Sequence, residues 1–347
     1  MKFIHCGDLH WGKVAKFTGN EGKVKRQELR DTFSRLADYA VKNNVTAVLV
    51  AGDIFDTGKP SNDDLKGFLE IVKQHSETRF LCLRGNHDGG VMFEGELPEN
   101  IDFFGAEWGK YDFGNVSVYG LELCDENREA APLALSPDRN RYNIVMLHGQ
   151  VGGDIVINKY ADKGIDYMAL GHVHSYGEGK IDERGKWTYC GCLEPRGFDE
   201  TGEKGFVLID TDACSREFVR FSKRTVYNVT CDLSDCGQDG TQEALGRVCP
   251  VLDGYSREDG IRLVLTGSVR FDPEDLTAVL VSRYGKYFHM FEVKNETGPY
   301  VDVEALINDK GLEGVFVRSI MNNGSYDDEA KIGIIDVCLR ALREGKL

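Results

Sequence analysis

The sequence has no apolar run long enough to cross a membrane. No window of its 347 residues approaches the roughly 18 consecutive apolar residues that a membrane helix needs. The first residues, MKFIHCGDLH, turn polar too early for a secretory signal peptide. With 41% hydrophobic and 29% charged residues, the composition is typical of a globular chain rather than a disordered or fibrous one. We therefore expect a cytoplasmic protein with no membrane partner.

The chain also lacks paired Cys-x-x-Cys motifs, which structural zinc sites usually require. Its ten cysteines are spread from Cys6 to Cys338, and Cys190 and Cys192 lie too close together for a zinc knuckle. Thiols in a long chain without an export signal are expected to stay reduced. We therefore interpret the cysteines as packing residues rather than disulfide partners or zinc ligands.

Positive charge is scarce, because 42 lysines and arginines face 57 aspartates and glutamates and the net charge is −15. A protein that binds nucleic acid unaided usually carries a basic face, since counterion release from phosphates drives much of the affinity. Two alternatives follow from this charge. Either the substrate is not a polynucleotide, or bound divalent cations and a basic partner subunit supply the missing positive charge.

Short apolar runs alternate with helical patterns in the first half of the chain. The runs KFIHC, TAVLVAG and RFLCLRG predict strands, and helices are predicted between them over 24–44 and 62–75. This βαβαβ order predicts a parallel sheet covered on both faces, with ligands at the carboxyl ends of its strands. Further strands are predicted over 116–121, 143–147 and 166–170, and an antiparallel completion of the sheet over 187–190, 205–210 and 217–221.

The character of the sequence changes near residue 224. The length is sufficient for a core of about 200 residues and a second, smaller domain. We therefore predict one domain over 1–223 and another over 224–347, without internal repeats or low-complexity tracts. In the second part, helices are predicted near 272–284, 301–308 and 326–343 and strands near 261–266 and 287–293.

Five of the eight histidines fall in the turns that follow five predicted strands. Residues two apart on an emerging strand point to the same side, so the carboxylate and the imidazole of Asp-x-His can share one cation. Each turn alone would be an ordinary polar loop, but five such turns together would require five independent coincidences. The turns are Asp8-Leu9-His10, Gly52-Asp53, Gly85-Asn86-His87-Asp88, His148-Gly149 and Gly171-His172-Val173-His174.

The side chains in these turns are more numerous than one metal ion can accept, so two ions that share one carboxylate fit better. Two metals about 3.5–4 Å apart lower the pKa of a bridging water and clamp the phosphoryl oxygens of an in-line displacement. The residues therefore predict phosphoester hydrolysis. The candidate metal ligands are Asp8, His10, Asp53, Asn86, His148, His172 and His174.

Taken in order, the motifs D-x-H, G-D, G-N-H-D, H-G and G-H-x-H resemble those of the calcineurin-like metallophosphoesterases, over about half of the chain. The resemblance implies an α/β fold, a four-layer sandwich of two mixed β-sheets flanked by helices. It also implies a smaller C-terminal α+β domain that caps the first.

The same resemblance implies a role for each candidate residue. His87 would stabilise the attacked phosphate and protonate the leaving oxygen, and Asp56 would hydrogen-bond His87 and fix its tautomer. Asp8, His10 and His174 would hold one metal, Asn86, His148 and His172 the other, and Asp53 would bridge the two.

Within this family, the segments MKFIHCGDLHWGK, AGDIFDTGKPS and RGNHD resemble the SbcD-type DNA repair exonucleases. This resemblance implies hydrolysis of DNA phosphodiesters with two divalent metal ions, manganese first and iron, magnesium or zinc as alternatives. It implies DNA and a coiled-coil ATPase of the SbcC type as partners. A homodimer is expected by analogy with relatives.

Two other functions are compatible with the same residues. The site could act on a small phosphoester, a nucleotide or a phosphoprotein, or the chain could be a non-catalytic scaffold that retains the fold. Candidate contacts to a phosphate backbone are Arg84, Arg196, Lys59 and Lys13.

Overall fold

A computed structural model describes residues 1–12, 19–91, 93, 96–234, 236–237, 240–300 and 302–344. The chain divides into two units, Met1–Val226 and Tyr227–Leu347. All ten cysteines are free thiols. Among the described residues, no helix combines the length and the apolarity that a membrane span requires. Lys13 lies outside the described residues.

Unit 1 is built from short strands separated by helices and loops. Its helices are α1 (Gly19–Lys42), α2 (Asn62–Gln74) and α3 (Ala131–Ala134), with a 3-10 turn over Ile157–Tyr160. Its strands are β1 (Lys2–Cys6), β2 (Ala47–Ala51), β3 (Arg79–Leu83), β4 (Ile101–Phe103), β5 (Gly109–Phe113), β6 (Val116–Gly120), β7 (Tyr142–His148), β8 (Tyr167–Gly171), β9 (Gly177–Lys180), β10 (Lys186–Tyr189), β11 (Gly205–Asp210) and β12 (Ser215–Arg220).

These strands form two six-stranded mixed sheets. The first has the order β12-β11-β1-β2-β3-β4, in which β1 to β4 are parallel and β11 and β12 are antiparallel additions. The second has the order β5-β6-β7-β8-β10-β9, in which β6, β7, β8 and β10 are parallel. The edge strands β5 and β9 are antiparallel to their neighbours.

Alternation of side chains along each strand produces the layers. Ile4 of β1 packs with Phe33 of α1 and Phe68 of α2 on one face of the first sheet. Its neighbour Phe3 points to the other face and belongs to the same cluster as Met146 of β7, between the two sheets. On the far side of the second sheet, Leu147, Met168 and Leu170 pack with Ala131 of α3. The fold is therefore the predicted α/β sandwich of two mixed sheets flanked by helices.

Two features of the sheets differ from the prediction. The strand β10 pairs parallel with β8, not antiparallel, because the intervening β9 turns the chain back first. The edge strands β4, β5 and β9 were not predicted, since IDF is only three residues long and GKYDF and GEGK contain few apolar residues.

Unit 2 has an α+β composition, with β14 and β16 parallel in a three-stranded sheet of order β13-β14-β16. Its core contains Leu263, Leu276 and Leu280. The helices α4 and α7 were not predicted; α4 contains Gly246 and Pro250, residue types that disfavour a helix interior. The elements are β13 (Val226–Asp232), α4 (Gly240–Leu252), β14 (Gly260–Thr266), β15 (Ser268–Val269), α5 (Pro273–Tyr284), β16 (Met290–Asn295), β17 (Gly298–Pro299), α6 (Val303–Ile307), α7 (Leu312–Met321) and α8 (Asp328–Glu344).

The aromatic cluster beneath α1 provides a test of this packing. The fully buried ring of Phe33 lies 5.2 Å from that of Phe68 and 5.8 Å from that of Trp11, centroid to centroid. Phe33→Ala should therefore lower the free energy of unfolding of unit 1 by about 3–5 kcal/mol. The measurement is urea unfolding followed by tryptophan fluorescence, because all three tryptophans lie in unit 1.

The matched control is Leu133→Ala, because Leu133 is 83% exposed in the same unit. This variant should change the free energy of unfolding by no more than about 0.5 kcal/mol. Equal effects of the two substitutions would contradict the packing described for α1.

Candidate metal centre

The structure brings all seven candidate ligands together at the carboxyl ends of parallel strands. The first sheet contributes the loops after β1, β2 and β3, and the second contributes the end of β7 and the loop after β8. The two sheets are in contact there, since His148 Nδ1, at the end of β7, lies 2.8 Å from the carbonyl oxygen of Ala51 in β2. These loops present Asp8 and His10, Asp53, Asn86, His148, and His172 and His174 respectively.

One group of donors consists of Asp8, His10 and His174. The Nε2 atoms of His10 and His174 are 3.0 Å apart, and His174 Nε2 is 3.9 Å from Asp8 Oδ1. Asp8 and His10 are buried, whereas His174 is partly exposed. These three side chains lie close enough together to hold one metal ion.

A second group consists of Asn86, His148 and His172. Asn86 Oδ1 lies 3.0 Å from His148 Nε2 and 3.0 Å from His172 Nδ1. Asn86 is exposed and His148 is buried, so this group opens towards solvent on one side. Its amide oxygen and imidazole nitrogens are of the kind that bind first-row divalent metals.

The carboxylate of Asp53 lies between the two groups. Its Oδ2 is 3.5 Å from His148 Nε2 and 3.7 Å from His10 Nε2. Its Oδ1 accepts a hydrogen bond of 2.9 Å from the backbone amide of His87. Asp53 thus lies close to histidines of both groups, as the bridging role implied by the resemblance requires.

The facing atoms of these groups carry lone pairs. The carbonyl oxygen of Ala51 can only accept a hydrogen bond, so His148 Nδ1 donates to it. In the neutral ring, Nε2 then presents a lone pair to two oxygen acceptors, Asn86 Oδ1 and Asp53 Oδ2. Lone pairs at this distance repel unless a proton or a metal ion lies between them, and ligands on one small cation are about 3 Å apart. The donor set therefore fits divalent metal ions.

Burial and neighbouring charges shift the pKa values of these groups in different directions. Burial raises the pKa of Asp8 to about 6, against the attraction of His148 and His174. Burial also opposes ionisation of Asp53, but the hydrogen bond and charge of His148 lower its pKa to about 2. Burial would lower the pKa of His148, but Asp53 and Asp8 outweigh it and raise this pKa to about 9. Buried His10 has its pKa lowered to about 4, chiefly by desolvation.

The loops that carry the ligands are strained. Asp8, His10, Asp53 and His172 have φ angles of 51°, 47°, 49° and 102°, in a region that residues other than glycine rarely adopt. Such conformations cost on the order of 1–3 kcal/mol each and persist only where the surrounding structure enforces them. They concentrate at functional sites, which supports a function for this cluster.

Two glycines allow the loops to approach one another. A Cβ atom on Gly85 would lie 2.1 Å from Asp53 Oδ1, and one on Gly171 would lie 1.9 Å from the carbonyl oxygen of Ala51. Each glycine directly precedes a candidate ligand in the sequence. Any side chain at these positions would therefore push the ligand loops apart.

Asp88 fixes the loop after β3 against the loop after β2. Its buried carboxylate accepts backbone hydrogen bonds from Phe55 at 2.7 Å, Ile54 at 2.8 Å and Gly85 at 3.1 Å. Burial raises the pKa of Asp88 to about 6, although these three amides oppose the shift. Asp88 thus has a structural role beside the ligands.

His87 lies beside the metal-ligand groups, but its contact with Asp56 differs from the prediction. His87 Nδ1 is 3.4 Å from the backbone carbonyl oxygen of Asp56, not from the carboxylate. The Asp56 carboxylate instead accepts from Arg196 Nη1 at 2.9 Å and lies 3.5 Å from His10 Nδ1. The charged guanidinium and the imidazole draw this side chain away from His87. The ring centroids of His10 and His87 are 4.9 Å apart.

Sequence reasoning missed Glu200. Its Oε1 lies 2.7 Å from His174 Nδ1 and accepts from Arg196 Nη2 at 2.9 Å. His174 and Arg196 hold the pKa of Glu200 well below its usual range, although burial acts in the opposite sense. Glu200 lies in a loop far along the chain from His174, so no spacing rule linked the two.

The side chains that were predicted to contact a phosphate backbone have different surroundings in the structure. Arg196 pairs with Asp56 and Glu200, and Arg84 Nη1 donates to Glu122 at 3.1 Å. Lys59 is exposed. Arg84 borders a cavity of about 160 Å³ that also contacts Asn86, His148 and His172.

Comparison with known proteins gives curated relatives at low identity. A Bacillus subtilis (strain 168) protein, named uncharacterized metallophosphoesterase YhaO, is 30% identical over 60% of this chain and 57% of its own length. The DNA double-strand break repair protein Mre11 of Sulfurisphaera tokodaii is 22% identical over 98% of this chain and 93% of its own length. A component of the nuclease SbcCD from Staphylococcus epidermidis is 22% identical over 61% of this chain and 66% of its own length. The chain thus spans little more than half of the YhaO protein.

Residues 1–176 of the 347 match the family described as calcineurin-like phosphoesterase. The match covers more than half of the chain and includes every strand-end motif that carries a candidate ligand. Members of this family are metal-dependent hydrolases that bind two divalent ions, as the two donor groups around Asp53 suggest. The chain belongs to the calcineurin-like phosphoesterase family.

Proposed function

We propose that this protein is a two-metal phosphodiesterase that hydrolyses DNA, with manganese as its metal and a coiled-coil ATPase of the SbcC type as its partner. The observation that carries the proposal is the convergence of two donor groups on the Asp53 carboxylate. Two relatives with nuclease or DNA repair names support DNA as the substrate. The role of residues 224–347 as a capping domain and the homodimer stay predictions.

Six of the seven proposed ligands belong to the two donor groups, and the seventh, Asp53, lies between the groups. Bound divalent ions would supply Lewis-acid chemistry, because they withdraw charge from phosphate oxygens and lower the pKa of water. The buried carboxylates offset the charge of the ions. Asp8, His10 and His174 would hold one ion, Asn86, His148 and His172 the other, and Asp53 both.

His87 is the proposed general acid. Its Nδ1 lies 3.4 Å from the Asp56 carbonyl oxygen, which can only accept, so Nδ1 donates and Nε2 is left for the substrate. Its backbone amide is tied to Asp53 Oδ1, which fixes the ring beside the metal ligands. An exposed imidazole at this place can stabilise the phosphate and protonate the leaving oxygen.

A second candidate function is hydrolysis of a small phosphoester by the same site. It is favoured by the pairing of the nearby arginines with carboxylates, Arg84 with Glu122 and Arg128 with Asp154. Such pairs reduce the positive charge offered to a polynucleotide, in a chain whose net charge is already −15. A small substrate would need only the metal centre.

Metal content tests the shared ligand. The wild type loaded with Mn²⁺ should hold two ions per chain, and Asp53→Asn should lose both because it contacts both groups. His172→Ala should lose one ion, because His172 belongs to one group. The measurement is elemental analysis after gel filtration. The control is His75→Ala, because His75 is the C-cap residue of α2 and belongs to neither donor group. Two ions retained by Asp53→Asn would place the metals elsewhere.

The proposed general acid is tested by His87→Ala. This variant should keep both metal ions but lose about 10²–10⁴ in kcat, because only the proton donor is removed. Steady-state kinetics on a labelled DNA duplex, together with elemental analysis of the same sample, give both quantities. Unchanged turnover with full metal content would reject His87 as the acid.

The substrate class is tested with a panel of phosphoesters. End-labelled duplex and single-stranded DNA, cyclic nucleotides and p-nitrophenyl esters are incubated with the protein, with and without Mn²⁺. DNA cleavage that requires Mn²⁺ and is lost in His87→Ala is expected, and the variant controls for contaminating nucleases. Hydrolysis of the small esters with both DNA forms left intact would favour the second candidate function.

A further inference from the structure

The two histidines of one donor group each face a carboxylate outside the ligand set. His174 Nδ1 lies 2.7 Å from Glu200 Oε1, and His10 Nδ1 lies 3.5 Å from Asp56 Oδ1. The guanidinium of Arg196 contacts both carboxylates, with Nη1 2.9 Å from Asp56 Oδ1 and Nη2 2.9 Å from Glu200 Oε1. We call Asp56, Arg196 and Glu200 the carboxylate bridge.

The carboxylate bridge fixes which ring nitrogen faces the metal site. A carboxylate can only accept, so His174 Nδ1 donates to Glu200 and Nε2 is left with its lone pair towards His10 Nε2, 3.0 Å away. Among the described residues, the buried Nδ1 atom of His10 has no hydrogen-bond partner, and Asp56 is the carboxylate beside it. A small shift of either side chain would complete the second hydrogen bond.

Arg196 and Glu200 are held in a fixed geometry. Glu200 Oε2 accepts from the backbone amide of Arg196 at 2.6 Å, while Oε1 accepts from Arg196 Nε at 3.1 Å. The backbone of His174 is fixed separately, because the buried Lys204 Nζ donates to its carbonyl oxygen at 2.7 Å. Ring and backbone of His174 are therefore oriented by different residues.

The histidines of the other donor group, His148 and His172, are oriented by contacts of a different kind. His148 Nδ1 donates to a neutral carbonyl oxygen, that of Ala51. The ring of His172 contacts Asn86, which belongs to the donor group itself. The carboxylate bridge thus acts on one half of the centre, the half that contains Asp8, His10 and His174.

We propose that Arg196 and Glu200 are positioning residues that, with Asp56, orient His10 and His174 and thereby set the metal affinity of that half. This inference rests on the proposed metal centre. Carboxylates that accept the second N–H of a metal-binding histidine fix its tautomer and raise its basicity, and their loss typically costs 10–100-fold in metal affinity. Arg196 contributes by holding two carboxylates that would otherwise repel each other.

The test is Mn²⁺ titration of the full-length chain, followed by electron paramagnetic resonance and calorimetry. Glu200→Ala should weaken one of the two Mn²⁺ sites by about 10–100-fold and leave the other unchanged. The spectrum at limiting metal should then change from that of a spin-coupled pair to that of an isolated ion. Glu200→Gln, which retains an acceptor oxygen for His174 but not the charge, should weaken the same site less.

The matched control is Glu203→Ala, three residues along, whose side chain is 62% exposed and lies 4.0 Å from Arg220. It should bind Mn²⁺ as the wild type does. Tryptophan fluorescence during urea unfolding reports whether each variant keeps unit 1 folded, and Glu200→Gln replaces Glu200→Ala if the latter does not. Arg196→Lys, which keeps the charge but cannot contact both carboxylates, should weaken the same site as Glu200→Ala.

Two outcomes would overturn the inference, and they differ. If the wild type binds two ions and Glu200→Ala and Glu200→Gln bind two with unchanged affinity, the carboxylate bridge has no positioning role while the proposed centre stands. If the wild type binds no pair of ions, the proposed metal centre itself is wrong and the inference falls with it.

Discussion

The candidate centre depends on the buried carboxylate of Asp53, because a histidine of each donor group lies within 4 Å of it. One oxygen faces His148 and His10, and the other accepts the backbone amide of His87. A carboxylate that is only 2% exposed is costly to ionise unless positive charge or N–H donors surround it. The imidazoles and the proposed divalent ions provide that charge. Asp53 is therefore the side chain that both donor groups share.

The double sheet is what brings those donors to one place. Parallel strands end at a common edge, so three loops of the first sheet and two of the second converge without any long connection. The convergence is strained, as the positive φ angles of Asp8, His10 and Asp53 show. The close-packed clusters on both faces of the first sheet, together with the three amide hydrogen bonds of Asp88, offset that strain.

The sequence predicted the parts of the centre that depend on strand ends and missed those that depend on loop packing. A motif such as Asp8-x-His10 directly follows an apolar run, and sheet geometry alone then brings its side chains to the common edge. The contact of Asp56 with His87 is made by the backbone carbonyl oxygen and not by the carboxylate, which pairs with Arg196, and no motif predicts that pair. Glu200 had no signal of this kind. Short polar edge strands such as β9 were missed for a similar reason, since their neighbours and not their composition define them.

Two arginines near the candidate metal centre of unit 1 are paired with carboxylates, which reduces the positive charge they offer to a polyanion. Arg196 joins two carboxylates that face the candidate ligands His10 and His174, and Arg84 is paired with Glu122. An arginine held by a carboxylate attracts a phosphate less than a free one does, because the pair is nearly neutral. If the substrate is a polynucleotide, these two arginines therefore contribute little to attracting its phosphates, and bound cations or another protein would add positive charge. That added charge gives the proposed ATPase partner a physical role, and a small phosphoester does not need it.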